Sequence, residues 1–177
     1  MRVVKVRQRQ WAIGFRGKDT AVLQTHNIWT CTGFVGVSDE GIAFLAHFDG
    51  PFLKTMLPGL IAELRPHVKD FRSFDIRIMT CHPGRLMGWP TRERLRQELN
   101  KLNLFRSIPK TQHLARTFFW KGGVRADANT GHMTGYKYLV RPEYDRYKPA
   151  ATGRTTLVEE ETAAELKIVN GKHAKKL

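Results

Sequence analysis

Two strand-like runs, WTCTGFVGV from Trp29 to Val37 and IAFLAHF from Ile42 to Phe48, are separated only by the four residues SDEG. No other feature of this 177-residue chain restricts the fold as tightly. Both runs are short and rich in β-branched and aromatic residues, and the link between them is turn chemistry, so they form a β-hairpin. Gly41 suits the positive φ that closes such a loop. With Asp39–Gly41 as the loop, Ser38 pairs with Ile42 and Gly33 falls opposite His47. Strand side chains alternate faces, so Cys31, two residues from Gly33, shares the face of His47 as a diagonal neighbour. Such neighbours lie ~7–8 Å apart at Cα, within reach of long side chains. A loop longer by one residue would put the two on opposite faces.

A cysteine and a histidine on one face invite nucleophilic catalysis, which also needs a group that orients the base. Gly33 and Gly36 are read as room beside the cysteine for a substrate backbone, with Gly33 keeping the imidazole uncrowded. Against this stands the ordinary use of cysteine as a small buried hydrophobe and of a strand histidine as a structural residue.

The rest of the chain supports an α+β class. Val3–Val6, Ala21–Gln24 and Phe74–Met79 read as strands, as do Arg116–Arg125 and Met133–Val140 around DANTG. After Pro51, apolar residues at Phe52, Leu53, Met56, Leu57, Leu60, Ile61 and Leu64 mark one face of a helix that Pro66 ends. A second helix begins with Thr91 as its cap. It is expected to bury Leu95, Leu99 and Leu102 and to turn Arg92, Arg96 and Lys101 outward. The expected architecture is a β-sandwich or mixed sheet with two main helices packed on it. Residues 1–150 read as a single catalytic-type domain. Residues 151–177 read as a linker, a short helix in EEETAAELKIV and a frayed basic tail.

The pattern Thr25, Cys31, His47, with a helix after HFDGP, resembles the cysteine glutamine deamidases. That superfamily includes the chemoreceptor deamidases, the cytotoxic necrotizing factor toxins and the Burkholderia lethal factor type. The resemblance spans residues 20–65. It departs from the pattern just before the cysteine, where Trp29-Thr30 stands in place of a small-residue pair. It implies a β-sandwich with the Cys and His on neighbouring strands. Carried over, Cys31 is the nucleophile, His47 the base and Thr25 the group that orients it, with Thr30 or Thr32 as alternatives for the last role. The implied reaction is hydrolysis of a glutamine side-chain amide through a Cys31 thioester, with ammonia released. The implied partner is a protein with an exposed glutamine, and no cofactor is required. A nearby charged histidine would lower the cysteine pKa.

Charge supports a second class. The formal net charge is +14, and between Arg65 and Arg125 fourteen Lys and Arg face four acidic residues. A basic face suits nucleic acid or an acidic partner. TFFWKGGVR and GYKYLVR interleave Phe118, Phe119, Trp120, Tyr136 and Tyr138 with Lys121, Arg125, Lys137 and Arg141. Aromatics stack bases and cations follow phosphates, so a nucleic-acid-binding module would use Arg92, Arg96, Trp120, Lys121, Arg125, Tyr136 and Lys137. Cys81-His82 precedes a Pro-Gly turn and reads as structural; with Cys31 and His47 it does not make a compact zinc pattern. Two cysteines do not make a disulfide framework, so a reducing, cytoplasmic compartment is expected, with delivery as an effector open beside it. The basic N-terminus has no apolar run of signal-peptide length, and no stretch approaches a membrane span.

Overall fold

The hairpin forms in the register its turn demands: Gly33 lies opposite His47, Phe34 opposite Ala46 and Val37 opposite Ala43. Gly41 closes the loop at φ +78°, where a side chain would be strained and would also strike Arg16. The structure, a computed structural model, describes residues 1–81, 89–115, 119–139 and 151–177. Its strands are Arg2–Lys5 (β1), Gln10–Phe15 (β2), Val22–Ile28 (β3), Thr32–Ser38 (β4), Ile42–Phe48 (β5), Phe74–Thr80 (β6) and Gln112–His113 (β7). Trp120–Asp127 (β8), His132–Leu139 (β9), Gly153–Arg154 (β10), Val158–Glu160 (β11) and Lys175–Lys176 (β12) follow. The α-helices are Leu53–Leu64 (α1), Trp89–Leu102 (α2) and Ala163–Val169 (α3).

The strands form two six-stranded mixed sheets, β11-β1-β3-β8-β9-β12 and β10-β2-β5-β4-β6-β7. Alternation along each strand explains how they stack. Ala12, Val35, Val37, Ala43, Leu45 and Met79 from the β5 sheet meet Val4, Leu23, Val124, Ala126 and Met133 from the β3 sheet. The opposite face of the β5 sheet presents Ile13, Phe34, Phe44, Phe48, Ile76 and Ile78 to α1, Leu95 and Leu99. On the outer face of the β3 sheet, Tyr136 and Tyr138 pack against Val169 of α3. The fold is therefore α+β, a sandwich of two mixed sheets with α1 and α2 on one side. No helix among the described residues is long and apolar enough to cross a membrane.

Helix α1 buries Leu53, Met56, Leu57, Leu60, Ile61 and Leu64, the stripe its spacing predicts. It starts two residues after Pro51, which sits in a short 3-10 turn, Gly50–Phe52. Helix α2 differs more. It begins at Trp89, two residues before the expected cap. Arg92 is buried and Leu102 is exposed. The arginine's place follows from the helix start: it lies in the first turn, beside the buried Thr91, where the chain packs onto the body of the domain.

Residues 151–177, expected as linker and tail, instead supply structure to both sheets. β10 pairs with β2, β11 with β1 and β12 with β9. Helix α3 carries the expected EEETAAELKIV helix, opened by a capping box between Thr162 and Glu165. Short polar edge strands carry little periodicity, so composition reads them as loop.

Candidate functional site

Thr25 and His47 belong to different sheets and meet between them. On β3, Leu23 and Thr25 point inward to the β5 sheet, while Gln24 and His26 point to α3. On β5, Leu45 and His47 point inward to the β3 sheet. The Thr25 hydroxyl oxygen lies 2.8 Å from His47 Nδ1. The same hydroxyl donates its one hydrogen toward the His26 carbonyl at 3.4 Å. In the tautomer whose Nδ1–H donates to Thr25 Oγ1, the lone pair is left on Nε2, as a general base requires. Nε2 is buried and has no hydrogen-bond partner.

Cys31 lies in the bend that leads into β4, one residue before its start and two from Gly33, the residue opposite His47. Its thiol is hydrogen-bonded to the Thr30 side chain, and no bond joins it to His47 Nε2. Burial pushes the Cys31 thiol up to about 12, and the Asp49 carboxylate adds to this, while Thr30 and Arg9 act against it. Burial holds His47 down to about 4, opposed by Asp49. The expected lowering of the cysteine pKa by a charged histidine is therefore corrected: burial favours the neutral form of both side chains. Of the three threonines considered, Thr25 reaches the imidazole and Thr30 the thiol. Thr32 Oγ1 is buried without a partner, and alternation turns it to the helix side with Phe34.

The glycines do not provide the expected room. A side chain at Gly33 would meet Ile28 Cδ1 at 2.8 Å, so an isoleucine methyl already fills that space. Gly36 has the opposite parity from Gly33. It faces the helix side, where the Phe44 ring of the facing residue lies over it.

Three further residues surround the site. Asp49, two positions beyond His47, forms an ion pair with Arg9 at 3.1 Å and accepts from Gln8 Nε2 at 2.9 Å. The Arg9 guanidinium lies 4.3 Å from the centre of the Phe52 ring, and its backbone N–H donates to the His47 carbonyl at 3.0 Å. Asp49 was legible as the acidic residue of HFDGP; Arg9 and Gln8 come from a distant turn and left no local signal.

The residues named for nucleic acid divide. Tyr136 is fully buried, its hydroxyl donating to the Thr25 carbonyl at 2.9 Å. Arg125 is buried in an ion pair with Glu161 and donates from Nε to Gln24 Oε1 at 2.8 Å. Arg92 is buried as well, and Arg96 pairs with Glu93 at 3.4 Å. These four do not form an open stacking surface, because their side chains serve the core or the helix they stand on. Trp120, Lys121 and Lys137 are partly exposed, with the Lys137 ammonium 4.9 Å from the centre of the Trp120 ring. Phe118 and Arg141 lie outside the described residues, as does His82. Cys81 donates to the Trp120 carbonyl at 2.9 Å, and burial pushes its thiol up to about 12. Among the described residues, no three His, Cys, Asp or Glu side chains gather as a metal site would require.

No protein-family model matches this chain, and no curated protein matches it.

Proposed function

We propose that the chain is a cysteine-dependent protein glutamine deamidase, with Cys31 as nucleophile, His47 as general base and acid, and Thr25 holding His47 in its working tautomer. The observation that carries this reading is the Thr25–His47 hydrogen bond of 2.8 Å beside a buried, unpartnered His47 Nε2. A buried polar atom without a partner is costly, and its retention points to use.

The neutral resting pair sets the order of events. The thiol proton moves to His47 Nε2 as the sulfur–carbon bond to the glutamine carboxamide forms, because burial disfavours a free thiolate. The imidazolium so formed is held by Thr25 Oγ1 at Nδ1–H and favoured by Asp49. It then protonates the amide nitrogen, the carbon–nitrogen bond breaks and ammonia leaves. Water attacks the thioester carbonyl, His47 takes its proton, and the carbon–sulfur bond breaks. The proton returns to sulfur and glutamate is left. Backbone N–H groups at Cys31 and its neighbour are the donors for the oxyanion.

The substrate on this reading is a protein with an exposed glutamine. The free thiols suit a reducing, cytoplasmic setting, reached by synthesis there or by delivery as an effector. The competing module reading keeps Trp120, Lys121 and Lys137 but loses Tyr136 and Arg125 to the core. The test is incubation with candidate protein targets. Ammonia release and a gain of about one dalton per glutamine converted to glutamate are expected with the wild type and not with Cys31→Ala. Equal conversion by both proteins would remove Cys31 from the chemistry.

A further inference from the structure

The start of β8 and the end of β9 border a cleft of about 990 Å³ on the outer face of their sheet. Trp120, Lys137, Tyr138 and Leu139 form one wall, and α3 with the turn after it forms the other through Ala164, Lys167, Ile168, Lys172 and His173. None of the described lining residues is acidic. Elsewhere the cations of this region are paired: Lys5 with Glu165 at 2.9 Å, Arg7 with Glu159 at 3.3 Å, and Arg125 with Glu161. Lys167 and Lys172 are exposed and have no ion-pair partner among the described residues. Two free ammonium groups over a floor of Ala164, Ile168, Leu139 and Tyr138 suit a ligand that is negative at intervals and apolar between.

The cleft is joined to the candidate site. The Tyr138 hydroxyl accepts the Asn27 backbone N–H at 2.8 Å. Asn27 opens the segment that ends at Cys31, and it adopts φ +62°. Cys81, after β6, donates to the Trp120 carbonyl. The start of β4, the ends of β5 and β6, the start of β8 and the end of β9 therefore lie at one end of the sandwich.

We propose that this cleft docks an acidic segment of the protein substrate, a proposal that rests on the deamidase reading and assigns its substrate a feature beyond the glutamine. An acidic polypeptide fits better than single-stranded nucleic acid. The Trp120 indole already carries the Lys137 ammonium, and its edge contact with His173 has ring centres 4.9 Å apart. Phe119, 75% exposed beside Trp120, is not among the residues that line the cleft, so its ring offers no stacking platform there.

The test uses the full chain and a fluorescein-labelled decaglutamate peptide, with binding read by anisotropy at physiological salt. Lys167→Glu combined with Lys172→Glu is expected to weaken binding about tenfold or more, because like charges then face the peptide at the contact. Lys69→Glu combined with Lys110→Glu changes the net charge equally, on exposed lysines elsewhere, and is expected to change affinity less than twofold, given screening over distance. Equal weakening by the two pairs would reduce the effect to overall charge and overturn the proposal. Tighter binding of a ten-residue oligothymidine, lost through the same two lysines, would also overturn it and make the cleft a nucleic-acid site. Binding by Cys31→Ala should match wild type. Failure of the deamidase reading would appear separately, as absent ammonia release with peptide binding intact.

Discussion

Thr25 and His47 are 22 residues apart in sequence and on different sheets, yet their side chains meet at 2.8 Å in the interior. The contact fixes the imidazole ring and its tautomer together. Replacing Thr25 by Val keeps the volume and removes the acceptor. It is expected to lower deamidation by ~10²–10⁴-fold, the range for losing a positioned base. Because His47 Nδ1–H is then buried unpaired, stability should also fall by ~1–3 kcal/mol. Thr25→Ser should restore most of both. A rate loss equal in the Val and Ser variants would show that the hydroxyl is not what matters.

Cys31 and Cys81 are both buried, with thiols held near 12. In the free protein neither is expected to react appreciably with iodoacetamide at pH 7, and thiolate absorbance should stay flat between pH 6 and 9. His47→Ala should leave that titration unchanged. Rapid labelling of Cys31 alone at neutral pH would instead mean that His47 and Cys31 rest as an ion pair.

His47 gives a pH dependence of stability with a defined sign. Its folded pKa is about 4, below the ordinary unfolded value of about 6.5. Between these values the unfolded chain binds more protons, so stability is lost as pH falls from about 6.5 to 4. The full effect is on the order of 3 kcal/mol. Urea unfolding at pH 7 and pH 4.5 should show a steeper loss for wild type than for His47→Gln. Parallel losses would mean that His47 is not buried as a neutral ring.

Arg125 is expected to act through stability. Arg125→Ala strands the buried Glu161 carboxylate and Gln24, and should cost ~3–5 kcal/mol. Tyr136→Phe should likewise leave oligonucleotide affinity unchanged while lowering the melting temperature. Weakened binding of a single strand at unchanged stability would return both residues to a nucleic-acid surface.

The hairpin register was legible because turn length and side-chain alternation over-determine it: once Gly41 closes the loop, Gly33 must face His47. The α1 stripe was legible for the same reason, with every turn repeating the signal. The partner of His47 came from the resemblance alone, because Thr25 sits on another sheet and no local periodicity links the two. β2, with the sequence QWAIGF, was not read as a strand because its burial on both faces removes the alternation. Tyr136 and Arg125 were misplaced for a related reason. Both point to the outer face of the β3 sheet, and only the return of α3 over that face makes it an interior.

The segment 151–177 covers three sheet edges, β11 beside β1, β12 beside β9 and β10 beside β2. It is synthesised after all the strands it covers. Until it emerges from the ribosome, the nascent sandwich has bare backbone at those three margins, where another chain can pair. Co-translational folding therefore cannot be complete at residue 150, and the segment 151–177 acts as a late clasp that covers these margins against aggregation.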